Sequence, residues 1–252
     1  MDLATRQLQK ILNDANQLPE ALILKPVTSS TNDDVREIAL NGVHSVLVCS
    51  SRQTYGRGQS QRTWLSPEGN IYLSTLLNTQ TAIDGRLALE IALNILQMPS
   101  VKNLNLQVKW PNDLYSPQGK WGGILVEPLS PHQVIVGVGI NLAPIPAEQL
   151  DQQATSLSEL GLSNIDRTEL IAELYLAIQE ASKWFDHQCY NLAARFNHYA
   201  AFKNQAVEFE HHSGQVTGFF LGIQDDGAVS IDTQQGIQQF YQGRLRRLAS
   251  VL

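Results

Sequence analysis

The stretch Gly56-Arg57-Gly58-Gln59-Ser60-Gln61-Arg62-Thr63-Trp64 lies between two apolar runs that read as strands, Ser45 to Ser50 and Asn70 to Leu77. That placement excludes the two common nucleotide-binding motifs here, because a P-loop or a dinucleotide fingerprint leads from a strand into a helix. Gly56 and Gly58 let backbone N–H groups approach a ligand closely, and Arg57 and Arg62 offer planar charged forks suited to carboxylate or phosphate oxygens. Trp64 is placed to cover what binds. Alone, such a loop reads as a polar surface hairpin.

Two further segments tip the balance toward an active site, Lys109-Trp110-Pro111-Asn112-Asp113 and Lys120-Trp121-Gly122-Gly123-Ile124. Lys109 ends an apolar strand, where an unpaired ammonium is costly to bury. Pairing with Asp113 would satisfy it structurally; functionally, Lys109 suits the negative charge developing on an α-phosphate and an attacking carboxylate. Asp113 fits three roles, a ligand to Mg²⁺, an orienter of Lys109 or a proton acceptor for an amine. Gly137-Val138-Gly139 starts a dinucleotide pattern, but Leu142 stands where its last glycine belongs, so Gly139 reads as close packing near a ligand. Asn141 interrupts an apolar run and reads equally as a strand-end turn residue or a site amide.

Along the chain, periodicity predicts a helix over residues 3–16, a strand from Ala21 to Val27, and a short helix capped within Ser29 to Asn32 and ending at Gly42. A helix follows Asp84 through Leu96, then strands near Leu106 to Lys109, Gly123 to Glu127 and Gln133 to Asn141. Asp166 and Glu169 cap a long helix to about Cys189, and another covers Leu192 to Tyr199. From Phe202 the pattern becomes short alternating strands: Val207 to His211, Val216 to Ile223, Val229 to Ile231 and Ile237 to Tyr241. The expectation is an α+β fold with a mixed sheet, residues 1–201, followed by a small β-barrel, residues 202–252.

With 252 residues, 43% of them hydrophobic, the chain can bury a large core. Its net charge of -6 gives no general field for nucleic acid, and Arg244, Arg246 and Arg247 read as a solvated strand edge. Two cysteines, no signal-peptide h-region and no membrane-length apolar run point to a cytoplasmic protein. His211 and His212 are adjacent in a strand and face opposite ways, so they form no chelate.

The motifs Ser30-Thr31-Asn32, Gln53 to Trp64, Lys109 to Asp113, Lys120 to Ile124 and Gly137 to Asn141 occur in the order found in biotin protein ligases, which the chain resembles over nearly its whole length. The resemblance implies a catalytic domain of the biotin/lipoate ligase type with an SH3-like C-terminal barrel. It implies activation of biotin by ATP and Mg²⁺ as biotinyl-5'-AMP, then transfer to a lysine of a biotin carboxyl carrier protein domain of acetyl-CoA carboxylase or another biotin-dependent carboxylase. Carried over by motif, Ser30, Thr31, Asn32, Gln53, Gly56, Arg57, Lys120 and Gly123 would bind biotin, while Gly58, Arg62, Thr63, Trp64, Asn112 and Asn141 would serve the nucleotide. Lys109, Asp113 and Arg57 would be catalytic, with Asp113 also the metal ligand. Members with a DNA-binding domain carry it before the Ser30 motif, which begins too early here, so a short, non-repressor form is expected. Relatives that dimerise by sheet extension suggest the strand Gln133 to Leu142 for a possible homodimer.

Two departures stand out: Gln59 and Gln61 occupy positions where the family loop has arginine and glycine. A neutral amide holds an anionic intermediate less well, unless a cation such as Arg52 compensates. The alternatives are a lipoate or octanoate ligase or transferase of the same fold, and a catalytically impaired biotin-binding protein.

Overall fold

Leu8 and Leu12 fall one helical turn apart and form the buried face of α1 (Leu3–Asp14), whose N-terminus Asp2 caps by accepting from the Thr5 N–H at 2.8 Å. A computed structural model describes residues 2–146, 152–163 and 166–248. After α1 come β1 (Ala21–Lys25), α2 (Thr31–Leu40), β2 (Val46–Ser50), β3 (Ile71–Asn78) and α3 (Arg86–Leu96). Then follow β4 (Gln107–Lys109), β5 (Asp113–Ser116), β6 (Gly119–Ser130), β7 (Gln133–Ile140), α4 (Arg167–Asp186) and α5 (Leu192–Tyr199). The chain closes with β8 (Ala206–His211), β9 (Gly214–Ile223), β10 (Val229–Thr233), β11 (Gly236–Phe240) and β12 (Arg244–Arg247).

Strands β1 to β7 build one mixed sheet in the order β1-β2-β3-β7-β6-β5-β4. Only the β1–β2 pair is parallel, as a strand-helix-strand connection requires. Side chains alternate between the faces. Val46, Val48, Leu76 and Ile135 pack under Val35 of α2 on one face, while Leu47, Cys49, Leu73, Val136 and Val138 meet α1, α3 and α4 on the other. Cys49 is inert core, its thiol pushed up to about 11 by burial.

The expected C-terminal barrel is not there. Among the described residues β8 to β12 form an open antiparallel sheet in the order β11-β10-β9-β8-β12, with β11 bonded only to β10 and β12 only to β8. Alternation identifies each strand, but closure is a relation between the two end strands that no strand's own pattern carries. The arginine cluster lies on β12, with Arg246 and Arg247 exposed at the sheet's edge as expected. The dimer strand also needs correction: β7 is bonded on both sides, to β3 and β6, and has no free edge to extend. One short strand, β5, was not expected.

One apolar cluster runs through both sheets, joining Trp110 to Phe209, Val229 and Leu245, and the Trp110 indole N–H donates to the Gly227 carbonyl at 3.1 Å. Nearby, Glu90 of α3 is fully buried and bidentately paired with Arg195 of α5, whose guanidinium also lies over Trp184. Removing one partner of such a pair strands a buried charge. Arg195→Ala is therefore expected to lower stability by about 3 kcal/mol, read as a drop in the urea midpoint.

Candidate active site

The site occupies the α2 face of the sheet, where glycines replace the large residues expected on a strand. Gly123 of β6 lies opposite Gly139 of β7, and Gly137 lies opposite Ser74 of β3. Together they leave a trough in the sheet. The Trp64 indole lies in it: a Cβ at Gly139 would sit 2.6 Å from the ring, and one at Gly123 3.1 Å from it. A cavity of about 300 Å³ remains beside the indole, lined by Trp64, Gly139, Lys120 and Asn141 among others.

Charge enters through a β-bulge. In β5–β6, Asp113 pairs with Gly123 and Leu114 with Gly122, but Tyr115 pairs with Lys120, so Trp121 is the extra residue. The one-residue slip buries Trp121 on the opposite face and turns Lys120 to the face of Asp113. Lys109 reaches the same point because it pairs directly with Asp113 across the β4–β5 hairpin. One Asp113 oxygen lies 2.5 Å from Lys120 Nζ and the other 3.2 Å from Lys109 Nζ, which also donates to Gln152 at 2.9 Å. Burial opposes ionisation of Asp113, but the Lys120 and Lys109 ammonium groups outweigh it and hold the carboxyl below its ordinary 3.8. Burial pushes Lys109 below its ordinary 10.5 in spite of Asp113.

The other expected residues fall into three groups. Ser30, Thr31, Asn32 and Gln53 line the cavity at the start of α2, where the Ser30 hydroxyl makes no capping bond. From the loop, Arg57, Gly58, Arg62 and Thr63 line it as well. Arg57 is held by Asp33 through two bonds of 2.7 and 2.6 Å, which keep the Asp33 carboxyl below its usual value. Asn112 and Asn141 line it from the far side; Asn112 donates to the Ile124 carbonyl at 2.6 Å, and Asn141 donates to Thr155 but leaves its buried Oδ1 unpaired.

Two expected residues lie outside the cavity. Gly56 is packing: a Cβ there would sit 2.5 Å from Ser66 Oγ and the Trp64 carbonyl. Lys109 opens instead into a groove of about 1160 Å³ between the two sheets, and Asn112, Asp113 and Arg62 line both spaces. Exposed Arg52 lines neither, so it does not stand in for the missing loop arginine. Ser60 and Gln61 adopt left-handed backbone with φ of 54° and 58°, a conformation costing side-chain-bearing residues about 1 kcal/mol each.

Asp33, Ser74, Glu127 and Gln152 were missed. Ser74 and Thr75 are buried polar residues in an apolar strand, a signal that was readable. Glu127 looked like a strand end, and Gln152 only a fold could bring to Lys109.

Residues 24–141 match the model of the biotin/lipoate A/B protein ligase family. The bifunctional ligase/repressor BirA of Bacillus subtilis is 30% identical over 233 residues, 87% of this chain and 72% of that protein. The chain belongs to the biotin protein ligase family. The biotin--[acetyl-CoA-carboxylase] ligase of Mycobacterium tuberculosis is 31% identical over 216 residues, 81% of this chain and 80% of its own. A biotin protein ligase from Aquifex aeolicus, solved with biotin and ATP, superposes with a TM-score of 0.81 at 30% identity, covering 91% of this chain and all of that one.

Magnesium does not fit the residue expected to hold it. Both Asp113 oxygens are engaged by ammonium groups. Charge neutralisation by the chain itself falls to its lysines and arginines. No helix among the described residues is long and apolar enough to cross a membrane.

The stability that Asp113 contributes is present above pH 3.8, its ordinary value, and is lost as pH falls through its lower folded value. Asp113→Asn should lack that acid-dependent loss and be less stable at neutral pH, where two buried ammonium groups lose their carboxylate. Urea midpoints taken from neutral pH downward check both outcomes.

Proposed function

We propose that this ligase activates biotin with ATP as biotinyl-5'-AMP and transfers the biotinyl group to a lysine of a biotin carboxyl carrier protein domain. The observation that carries the reading is Asp113 buried between Lys109 and Lys120 where the cavity meets the groove. An anion pair, carboxylate and α-phosphate, can meet only where fixed cations offset their repulsion, and two ammonium groups on one carboxylate leave a net positive site.

Biotin's ring then sits among Ser30, Thr31 and Gln53, with its carboxylate toward Lys120. The nucleotide sits along Trp64, Asn112 and Asn141, and the unpaired Asn141 Oδ1 suits the exocyclic amino group of adenine. A biotin carboxylate oxygen attacks the α-phosphorus, the bond to the bridging oxygen breaks, and pyrophosphate leaves toward the groove past Lys109 and Arg62. The acceptor's lysine amine next attacks the acyl carbon, AMP departs as the leaving group, and the amine proton is lost to solvent or to a phosphate oxygen. We further take residues 1–201 as the catalytic unit and 202–252 as a second unit walling the groove.

Biotin-dependent exchange of labelled pyrophosphate into ATP, run with magnesium and beside lipoate, tests the reading. Exchange with biotin and its reduction by about 100-fold or more in Lys109→Ala are expected. Exchange with lipoate alone would move the chain to lipoate ligation, and biotin binding without exchange would make it a binding protein.

A further inference from the structure

The tip of the loop over the cavity is tied to the rest of the chain by one polar side chain. Within residues 57–63, the Gly58 N–H donates to the Arg62 carbonyl at 2.8 Å, and the Arg62 N–H and Nε both donate to the Gln59 carbonyl at 3.2 Å. Arg57 and Thr63 bridge the two arms. Among the described residues, the hydrogen bonds and ion pairs that leave this stretch are those of the Arg57 guanidinium. Its two terminal nitrogens donate to the two oxygens of Asp33, in the first turn of α2, at 2.7 and 2.6 Å, and Nη2 lies 3.6 Å from Glu127.

That geometry limits what Arg57 can do. Asp33 occupies the fork that a ligand carboxylate would need for a bidentate hold. Arg36 lies 3.4 Å from Glu127, so two guanidinium groups meet two carboxylates and no surplus charge remains there for an anion. Asp113 with Lys109 and Lys120 does leave one. The Asp33 end of the tie is fixed, because an acid in a first turn is favoured by the helix N–H groups and Val35 of the same turn is fully buried. The loop end is not, since residues 60–63 are exposed. Arg57, Gly58, Gln59, Arg62, Thr63 and Trp64 all line the cavity, so what holds the loop holds one wall of the site.

We infer that Asp33 is a positioning residue that latches the loop through Arg57, so that the pair sets how long the activated intermediate stays in the cavity, with Arg57 acting as a tether and not as a ligand for the biotin carboxylate. The inference rests on the ligase reading and deepens it. It also gives the altered loop a means of retention: where Gln59 and Gln61 offer no charge to an anionic intermediate, the loop is held by a pair internal to the protein. The Arg57 and Asp33 side chains are 34% and 47% exposed, so the latch is of the modest strength of a well-formed surface pair and is weakened by salt.

The test follows release of a labelled, non-hydrolysable sulfamate analogue of biotinyl-5'-AMP from the full chain, chased with excess unlabelled analogue. Asp33→Asn keeps the shape but loses the charge and the second acceptor oxygen, and should speed release about fivefold at low salt, with Asp33→Glu close to wild type. The gap between wild type and Asp33→Asn should close at about 1 M salt. Arg57→Gln should release the analogue about as fast as Asp33→Asn, and the double variant no faster than either, because each change alone already breaks the tether. A merely structural effect of Asp33 on α2 would instead add to that of Arg57→Gln. Additive effects, or unchanged release in Asp33→Asn, overturn the inference and leave the ligase reading intact. Slower release in Asp33→Asn also overturns it, since Asp33 would then be competing with the ligand for Arg57. A wild-type protein that does not bind the analogue overturns both readings.

Discussion

Asp113 between Lys109 and Lys120 is the interaction on which the site depends. Two ammonium groups cannot be buried side by side without a carboxylate, and a carboxylate buried this deeply would lose its charge without them. Neither half is stable alone, so the three strands that carry them are held in one register. The arrangement also leaves a surplus of one positive charge, which is what an incoming carboxylate and a triphosphate need.

The sheet supports that centre by omission as much as by contact. Gly123, Gly137 and Gly139 all lie on the α2 face, and their missing side chains provide the depth in which Trp64 and Asn32 lie. The opposite face of β7 carries Val134, Val136, Val138 and Ile140, all buried in the larger core, so the trough leaves that side of the strand fully packed. The loop over this floor carries two left-handed residues, Ser60 and Gln61.

Motif order and geometry meet at the same residues. Ser30, Thr31, Gln53, Arg57 and Lys120, singled out by motif order, line one cavity although they come from a helix start, a loop and a bulged strand. Gly56 and Lys109 lie outside that cavity: Gly56 is close-packed against Ser66 and the Trp64 carbonyl, and Lys109 lines the adjoining groove.

Much of this was legible in the sequence because the signals are local. Helical spacing, alternation and caps placed most of the elements, and Gly-Val-Gly between apolar neighbours already marks one strand face as bare. Residue chemistry likewise announced an anion site. What the tertiary structure alone decided were relations between strands. A one-residue bulge at Trp121 put Lys120 on the face of Asp113, β7 took an interior place, and β11 and β12 stayed apart as edges. Alternation tells which residues of a strand share a face, but a partner's register and a sheet's closure are set by contacts between segments far apart in the chain.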